Sequence, residues 1–232
     1  MLIEIKNLTK YYNYQNDNRI RALNGIDLSV DSGEMVAITG TSGAGKSTLI
    51  HVLAGLLKYE SGSYLFNGEN VEHFSVKRIC KMRNKDIGIV FQNFALIEDY
   101  SVLLNTMIPL FFAGGKKLNK KAAAKSALKS VGILDLEDKT PANISGGEKQ
   151  RCAIARAMVN NPSVLLADEP TGQLDSHTAG EVMGVLKDLN RRGVTIIIVT
   201  HDNNIASWCD RIITMSDGKI ISDLTYVNDQ CD

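Results

Sequence analysis

Gly40-Thr41-Ser42-Gly43-Ala44-Gly45-Lys46-Ser47-Thr48 constrains this chain more than any other stretch, because it fits the pattern G-x-x-x-x-G-K-[ST] with suitable flanks. Ahead of it, Met35-Val36-Ala37-Ile38-Thr39 reads as a short buried strand; behind it, Leu49, Ile50, Val52 and Leu53 recur at helical spacing. Strand, glycine loop and helix start together build an anion hole: successive backbone N–H groups and the positive end of the helix dipole face the anion, and glycine lets the main chain approach it closely. The loop therefore predicts binding of a nucleoside triphosphate, with Lys46 reaching the β- and γ-phosphates and Ser47 reaching a Mg²⁺ ion.

Three further stretches carry chemistry. Val164-Leu165-Leu166-Ala167-Asp168-Glu169 is an apolar run ending in two carboxylates, the form of a strand buried on both faces whose C-terminal end opens at a ligand crevice. There Asp168 is expected to hold Mg²⁺, directly or through water, and Glu169 to polarise the water that attacks the γ-phosphate. Val194-Thr195-Ile196-Ile197-Ile198-Val199-Thr200 is a second such run, and His201 follows at its end, within reach of a γ-phosphate oxygen. His51, His73 and His177 read as helix, loop and helix-start surface residues without a role. Ser145-Gly146-Gly147-Glu148-Lys149-Gln150-Arg151 opens a helix through a capping box between Ser145 and Glu148. A cap leaves the two glycines unexplained, since each lowers helix stability by up to ~1 kcal/mol. Bare backbone N–H groups for a second phosphate contact would explain them, which predicts ATP sandwiched from two sides.

The 232 residues, 44% hydrophobic and 22% charged, suit a packed globular chain. Lys plus Arg equals Asp plus Glu, 26 against 26, so net charge points to no polyanion partner such as nucleic acid. Cys80, Cys152, Cys209 and Cys231 are scattered without a C-x-x-C pair, which fits buried thiols in a reducing compartment rather than a disulfide framework or zinc site. The basic cluster Lys116-Lys117-Leu118-Asn119-Lys120-Lys121 reads as a solvated loop and helix start. Met1-Leu2-Ile3-Glu4-Ile5-Lys6 alternates like a strand, not a signal peptide. The longest apolar stretch, residues 102–113, is interrupted by Asn105, Thr106 and Pro109 and falls short of the ~20 residues of a membrane span. A soluble protein is expected, with any bilayer crossing left to another chain.

Strands are expected at residues 2–8, 20–30 (after a polar turn at 13–18), 62–66, 87–91, 164–167, 194–200 and 212–215; Asn67-Gly68 marks a hairpin turn. Helical patterns cover 75–85, most of 92–160 and 181–191. A parallel α/β core with a helical insertion accommodates this order.

The glycine loop, Gln92 after a strand, Ser-Gly-Gly-Glu-Lys-Gln-Arg, Val-Leu-Leu-Ala-Asp-Glu, Gly172-Gln173-Leu174-Asp175 and His201 occur in the order of an ABC transporter ATPase subunit, and the resemblance covers essentially the whole chain. It implies an α/β fold: a P-loop NTPase core with a mainly parallel sheet, an N-terminal antiparallel β-subdomain and an inserted α-helical subdomain. Residues 1–232 would form a single cassette, with 1–92 and 161–232 as β-subdomain plus core and 93–160 as the helical subdomain. It further implies that Tyr12, or Tyr11 beside it, stacks on adenine, that Gln92 senses Mg²⁺ and the attacking water, that Ser145 and Gly147 contact ATP bound by a partner subunit, and that Asp175 communicates across the dimer. Phe91-Gln92-Asn93-Phe94 and the residues 169–176 resemble the lipoprotein-releasing, macrolide and antimicrobial-peptide or bacteriocin export group. Glu148 in place of Gln, Ala44 in place of Ser and Gln173 in place of Ala depart from common members; the capping geometry would turn the Glu148 carboxylate toward its own helix start.

The function so implied is hydrolysis of ATP by two cassettes, identical copies on the simplest reading, closed around two Mg-ATP to drive a separate transmembrane permease. The cassette would be cytoplasmic and peripheral on the inner membrane face. Mg²⁺ would meet Ser47, Gln92 and Asp168; Lys46 and His201 would stabilise γ-phosphoryl charge; Glu169 would activate water. The apolar side chains after Gln92, among them Phe94, Leu96, Ile97, Tyr100, Leu103, Leu104, Ile108, Leu110, Phe111 and Phe112, are expected to divide between packing and a groove for a permease helix. A soluble ABC ATPase, or a peptide-sensing clamp that barely transports, stays open as an alternative.

Overall fold

The computed structural model describes residues 1–13, 19–114 and 119–226. Residues 14–18 of the expected polar turn, Lys116, Lys117 and Leu118 of the basic cluster, and Cys231 lie outside the described residues.

The chain opens with two long antiparallel strands, β1 (Ile3–Asn13) and β2 (Arg19–Val30), then enters β3 (Met35–Gly40) and, through the glycine loop, α1 (Lys46–Leu53). It returns as β4 (Ser61–Phe66) and the short β5 (Glu69–Asn70), runs through α2 (Val76–Lys81) and one turn of π-helix at Met82–Asp86, and reaches β6 (Ile87–Val90). Three helices follow, α3 (Val102–Phe112), α4 (Lys120–Ser130) and α5 (Gly146–Met158). Strand and helix then alternate: β7 (Val164–Asp168), α6 (Ser176–Arg191), β8 (Thr195–Val199), α7 (Asn203–Ala206), β9 (Arg211–Ser216) and β10 (Lys219–Thr225). One sheet has the antiparallel order β2-β1-β4-β5; the other runs β10-β9-β3-β8-β7-β6, parallel from β9 to β6 with β10 antiparallel at its edge.

The expected apolar runs are strands because both faces of the core sheet are covered. Met35, Ala37, Leu165, Ala167, Ile196 and Ile198 face one cluster, shared with buried residues of α3, α4, α5 and α6. Val36, Ile38, Val164, Leu166, Ile197 and Val199 face the other, shared with α1 and with Ile3, Ile5, Tyr64 and Phe66 of the antiparallel sheet. Each fully buried Ile, Leu or Val contributes on the order of 1.5–3 kcal/mol relative to exposure, so the sheet is fixed from both sides and its C-terminal edge is left free for chemistry.

Two expectations need correction. Residues 93–101 hold no helix; α3 starts only at Val102, where the Ser101 side chain accepts from the Leu104 N–H at 3.2 Å. The sheet also continues past residue 215 into β10. Its turn, Asp217 (φ 49°) and Gly218 (φ 73°), repeats the geometry of Asn67 (φ 51°) and Gly68 (φ 77°) between β4 and β5. Both are two-residue loops of the primed type, which need positive φ at both positions. The Asp-Gly signal was present; β10 itself alternates half-buried and exposed residues and lacks the continuous apolar run of its neighbours.

The glycines that open α5 have a steric role within the chain. A Cβ on Gly147 would stand 2.4 Å from Thr178 Cγ2 of α6, and one on Gly146 would stand 3.2 Å from Leu174 Cδ2. The start of α5 thus packs directly on the start of α6. Gly147→Ala should lower stability by about 1–3 kcal/mol through overpacking, even though alanine is the better helix former. Denaturant or thermal unfolding of the variant without nucleotide checks this, and a gain in stability would remove the steric account.

Candidate active site

The glycine loop is shaped by what lies behind it. Gly40 (φ 142°) could not carry a Cβ, which would fall 2.1 Å from the Met215 carbonyl oxygen on β9; on Gly45 (φ 98°) it would fall 2.3 Å from the Ala22 carbonyl oxygen on β2. The loop is therefore pinned between two strands while its front faces a cleft of about 1070 Å³. Ser42, Gly43, Ala44, Gly45, Lys46, Ser47 and Thr48 line that cleft with Tyr12, Gln92, Glu169 and His201. Tyr12 lines it and Tyr11 does not, which separates the two tyrosines left together by the sequence. The Tyr12 hydroxyl stands 3.4 Å from Thr48 Oγ1, and the Arg21 guanidinium lies over the Tyr11 ring, 5.0 Å from its centroid.

Lys46 is buried, and its Nζ donates to the carbonyls of Gly40 (2.8 Å) and Thr41 (2.9 Å), spanning the loop it serves. Ser47 Oγ donates to Asp168 Oδ1 at 3.1 Å, joining the start of α1 to the end of β7. Burial raises the Asp168 pKa above the usual carboxylate value; the Ser47 bond, His51 and Lys46 oppose that shift, and the neighbouring Glu169 adds to it. His51, expected at the surface of a helix, is half-buried on α1.

Glu169 follows Asp168 in the left-handed region (φ 48°), and its N–H donates to the Val199 carbonyl at 2.9 Å. Non-glycine residues seldom adopt this conformation, and its cost, on the order of 1–3 kcal/mol, is borne where geometry matters. Its Oε1 accepts from His201 Nδ1 at 2.7 Å, with the Glu169 side chain mostly buried (15% exposed) and His201 at the open rim (69%). Gln92 follows β6, and its Nε2 would lie 3.2 Å from a Cβ on Gly172, so Gly172 leaves room for the amide over the turn after Glu169.

Ile20, Arg21, Ala22 and Asp217 also line the cleft and were not expected there. The β9–β10 turn brings Asp217 in, since the Gly218 N–H donates to the Ala44 carbonyl (3.1 Å) and the Gly218 carbonyl accepts from the Asn24 N–H (2.8 Å). Only the missed β10 hairpin could have signalled this.

Ser145, Gly147 and Asp175 do not line this cleft. They sit together elsewhere, at the starts of α5 and α6, Ser145 and Asp175 exposed and Gly147 buried against α6. The Ser145 N–H and Oγ both donate to Glu148 Oε2 (2.7 and 2.9 Å), and Ser145 Oγ accepts from the Glu148 N–H at 3.3 Å, the full capping box. The main-chain bond from Ser145, followed by its hydroxyl, lowers the Glu148 pKa. Asp175 caps α6, accepting from the N–H groups of His177 (3.1 Å) and Thr178 (3.0 Å) and from Thr178 Oγ1 (2.6 Å), which lowers its pKa.

The cleft is built for a polyanion with a hard cation. Ser47 and Asp168 offer two oxygen donors side by side, and among the described residues no three His, Cys, Asp or Glu side chains form a ready-made metal cage. That combination fits Mg²⁺, which binds through one or two protein oxygens and completes its shell with phosphate and water.

Residues 23–172 match the ABC transporter family model. The chain is 42% identical over 223 residues to the macrolide export ATP-binding/permease protein MacB of Vibrio parahaemolyticus, and 42% identical over 222 residues to the pyoverdine export ATP-binding/permease protein PvdT of Pseudomonas fluorescens. Each alignment takes in 96% of this chain and 34% of the relative, so the chain spans about a third of the length of the curated relatives it matches. Among solved structures, the dimeric bacterial ABC transporter cassette MJ0796 superposes with a TM-score of 0.90 at 36% identity, covering 98% of this chain and all of that one; its post-hydrolysis dimer with ADP and Pi gives 0.89. The chain belongs to the ABC transporter family, and it is an ATPase cassette of that family.

Proposed function

We propose that this cassette hydrolyses Mg-ATP in a composite site formed with a second cassette, and that the cycle drives a membrane-spanning permease. The observation that carries the reading is the division of its groups between two surfaces. The phosphate loop, Gln92, Glu169 and His201 line one cleft, with Asp168 bonded to Ser47 at its floor, while the exposed Ser145 and Asp175 lie elsewhere, at the starts of α5 and α6, with Gly147 buried where the two helices meet. A second copy, placed head to tail, would bring the helix start of one chain to the cleft of the other; the dimeric solved cassettes support this arrangement.

In the cleft the loop N–H groups and Lys46 would hold the phosphates, Lys46 exchanging its carbonyl partners for phosphate oxygens. Tyr12, at the cleft wall, would stack on adenine. Ser47, Asp168 and Gln92 would hold Mg²⁺, which when bound offsets negative charge on the phosphate oxygens. Glu169, oriented by His201 and by its own main-chain bond to Val199, would take the proton of the attacking water, and His201 would face the γ-phosphoryl group. From the partner, Ser145 and Gly147 would contact the bound ATP, and Asp175 would relay closure.

Residues 93–160 would form the helical arm that meets the permease. Of its apolar residues Leu103 and Leu110 are buried, whereas Ile97, Tyr100, Phe111 and Phe112 are 42%, 39%, 52% and 77% exposed. Exposed aromatic and aliphatic groups of that kind suit a docking face. Among the described residues no helix is long and apolar enough to cross a membrane. We place the cassette on the cytoplasmic face and infer export or extraction of a peptide, lipoprotein or antimicrobial compound as its work; the relatives' names, macrolide export and pyoverdine export, support the export part of that reading.

Glu169→Gln should lower hydrolysis about 100-fold or more and shift the protein from monomer to dimer on size-exclusion columns with Mg-ATP. A variant that turns ATP over normally would remove Glu169 from its role. Asp168 gives an independent check on the metal site. Because burial raises its pKa in the folded state, the native chain holds that proton more tightly than the unfolded chain, and stability is lost as pH rises from the ordinary carboxylate value through the raised one. Asp168→Asn should therefore melt at an equal or higher temperature than the unchanged protein at pH 7, converging with it near pH 4, while losing Mg²⁺-dependent hydrolysis. Lower melting at pH 7 would contradict a site that trades stability for metal binding.

A further inference from the structure

Gln92 stands on a segment that makes no helix or strand of its own. Two consecutive non-glycine residues there, Phe94 (φ 58°) and Ala95 (φ 49°), occupy the left-handed region. Their carbonyls accept from one side chain, the Arg156 guanidinium in the last turn of α5: Nη2 donates to Phe94 O at 2.8 Å and Nη1 to Ala95 O. Two carbonyls, rather than a carboxylate, satisfy this arginine, and burial depresses its pKa. Further along, the buried Asn105 side chain accepts from the Ile97 N–H (2.8 Å) and donates to the carbonyls of Ile97, Tyr100 and Ser101 (3.0, 3.1 and 3.2 Å). Side chains from two helices thus replace the missing backbone ladder.

The base of the Arg156 contact is rigid. Gly88 on β6 lies so close to α5 that a Cβ there would stand 2.7 Å from the Ala157 carbonyl oxygen, so the residue after Arg156 is seated on the strand that leads into Gln92. The other end of α5 carries Ser145 and Gly147. A planar fork that donates two parallel bonds fixes both position and orientation of what it grips, which a lysine cannot do.

We propose that Arg156 is a positioning residue for Gln92: it clasps the left-handed turn at Phe94 and Ala95 and thereby ties α5 to the Gln92 side of the nucleotide cleft. The inference rests on the reading of Gln92 as a group that meets Mg²⁺ and the attacking water. Because the clasp fixes Gln92 and not the phosphate loop, its loss impairs turnover and Mg²⁺ use while leaving ATP binding to the loop unchanged.

The test is a cycle of Arg156→Gln, Gln92→Ala and the double variant in the full chain, with Arg156→Lys beside it. Measured quantities are kcat, KM for Mg-ATP, the Mg²⁺ concentration giving half-maximal rate, binding of a fluorescent ATP analogue in EDTA, and thermal unfolding. Arg156→Gln is expected to lower kcat about ten-fold and to raise the Mg²⁺ requirement, with the double variant no worse than the poorer single one, as for groups acting through one another. Arg156→Lys should fall between and guards against a Gln variant that does not fold. Additive losses, or lower melting with normal kcat and Mg²⁺ dependence, would leave Arg156 a purely structural residue and overturn the proposal. Normal kinetics in Gln92→Ala would instead sink the reading of Gln92, and the clasp's catalytic meaning with it.

Discussion

The register of three parallel strands decides where Asp168, Glu169 and His201 stand. Ile38 on β3 and Asp168 on β7 are both paired with Val199 on β8. One residue beyond that line, the Glu169 N–H donates to the Val199 carbonyl, the Thr200 N–H donates to the Ile38 carbonyl, and His201 comes next. A slip of one residue in any pair would exchange the strand's two faces, placing residues of one apolar cluster in the other. The two-sided core therefore does more than stabilise the sheet. It forbids the misalignments that would separate Glu169 from His201 or Asp168 from Ser47.

How much of this was legible in the sequence follows from the range over which each feature is determined. The glycine loop, the run into Asp168 and Glu169, and the Ser145–Glu148 cap are encoded within a few residues, and each stands where its local chemistry places it. The shape of the cleft depends on residues far apart in the chain. Ala22 reaches it because β2 packs against Gly45, with Arg21 beside it, and Asp217 because the β9–β10 turn bonds to both β2 and the phosphate loop. The Arg156 clasp joins positions 61 and 62 residues apart, and its partners are carbonyls, which every residue carries and no motif announces. Residues 93–101 misled for a related reason: an apolar composition suits a helix, yet the backbone there is organised by Arg156 and Asn105 from outside the segment.

The glycines of α5 answer to a demand made inside the chain. Gly147 leaves space for Thr178, whose hydroxyl donates to Asp175, so the starts of α5 and α6 are assembled as one surface before any partner arrives. Gly147 is itself buried by that contact, so the steric fit between the two helix starts is met within the chain.

Glu148 gives that surface a property of its own. Its carboxylate is held against the Ser145 N–H and hydroxyl, so the positive start of α5 already carries an anion belonging to the chain. A phosphate that docks on this helix start does not enter an empty positive field. It would compete with a tethered carboxylate for the same hydroxyl proton, and its arrival would be an ion exchange: the incoming charge would gain the donor only as the resident one gave it up.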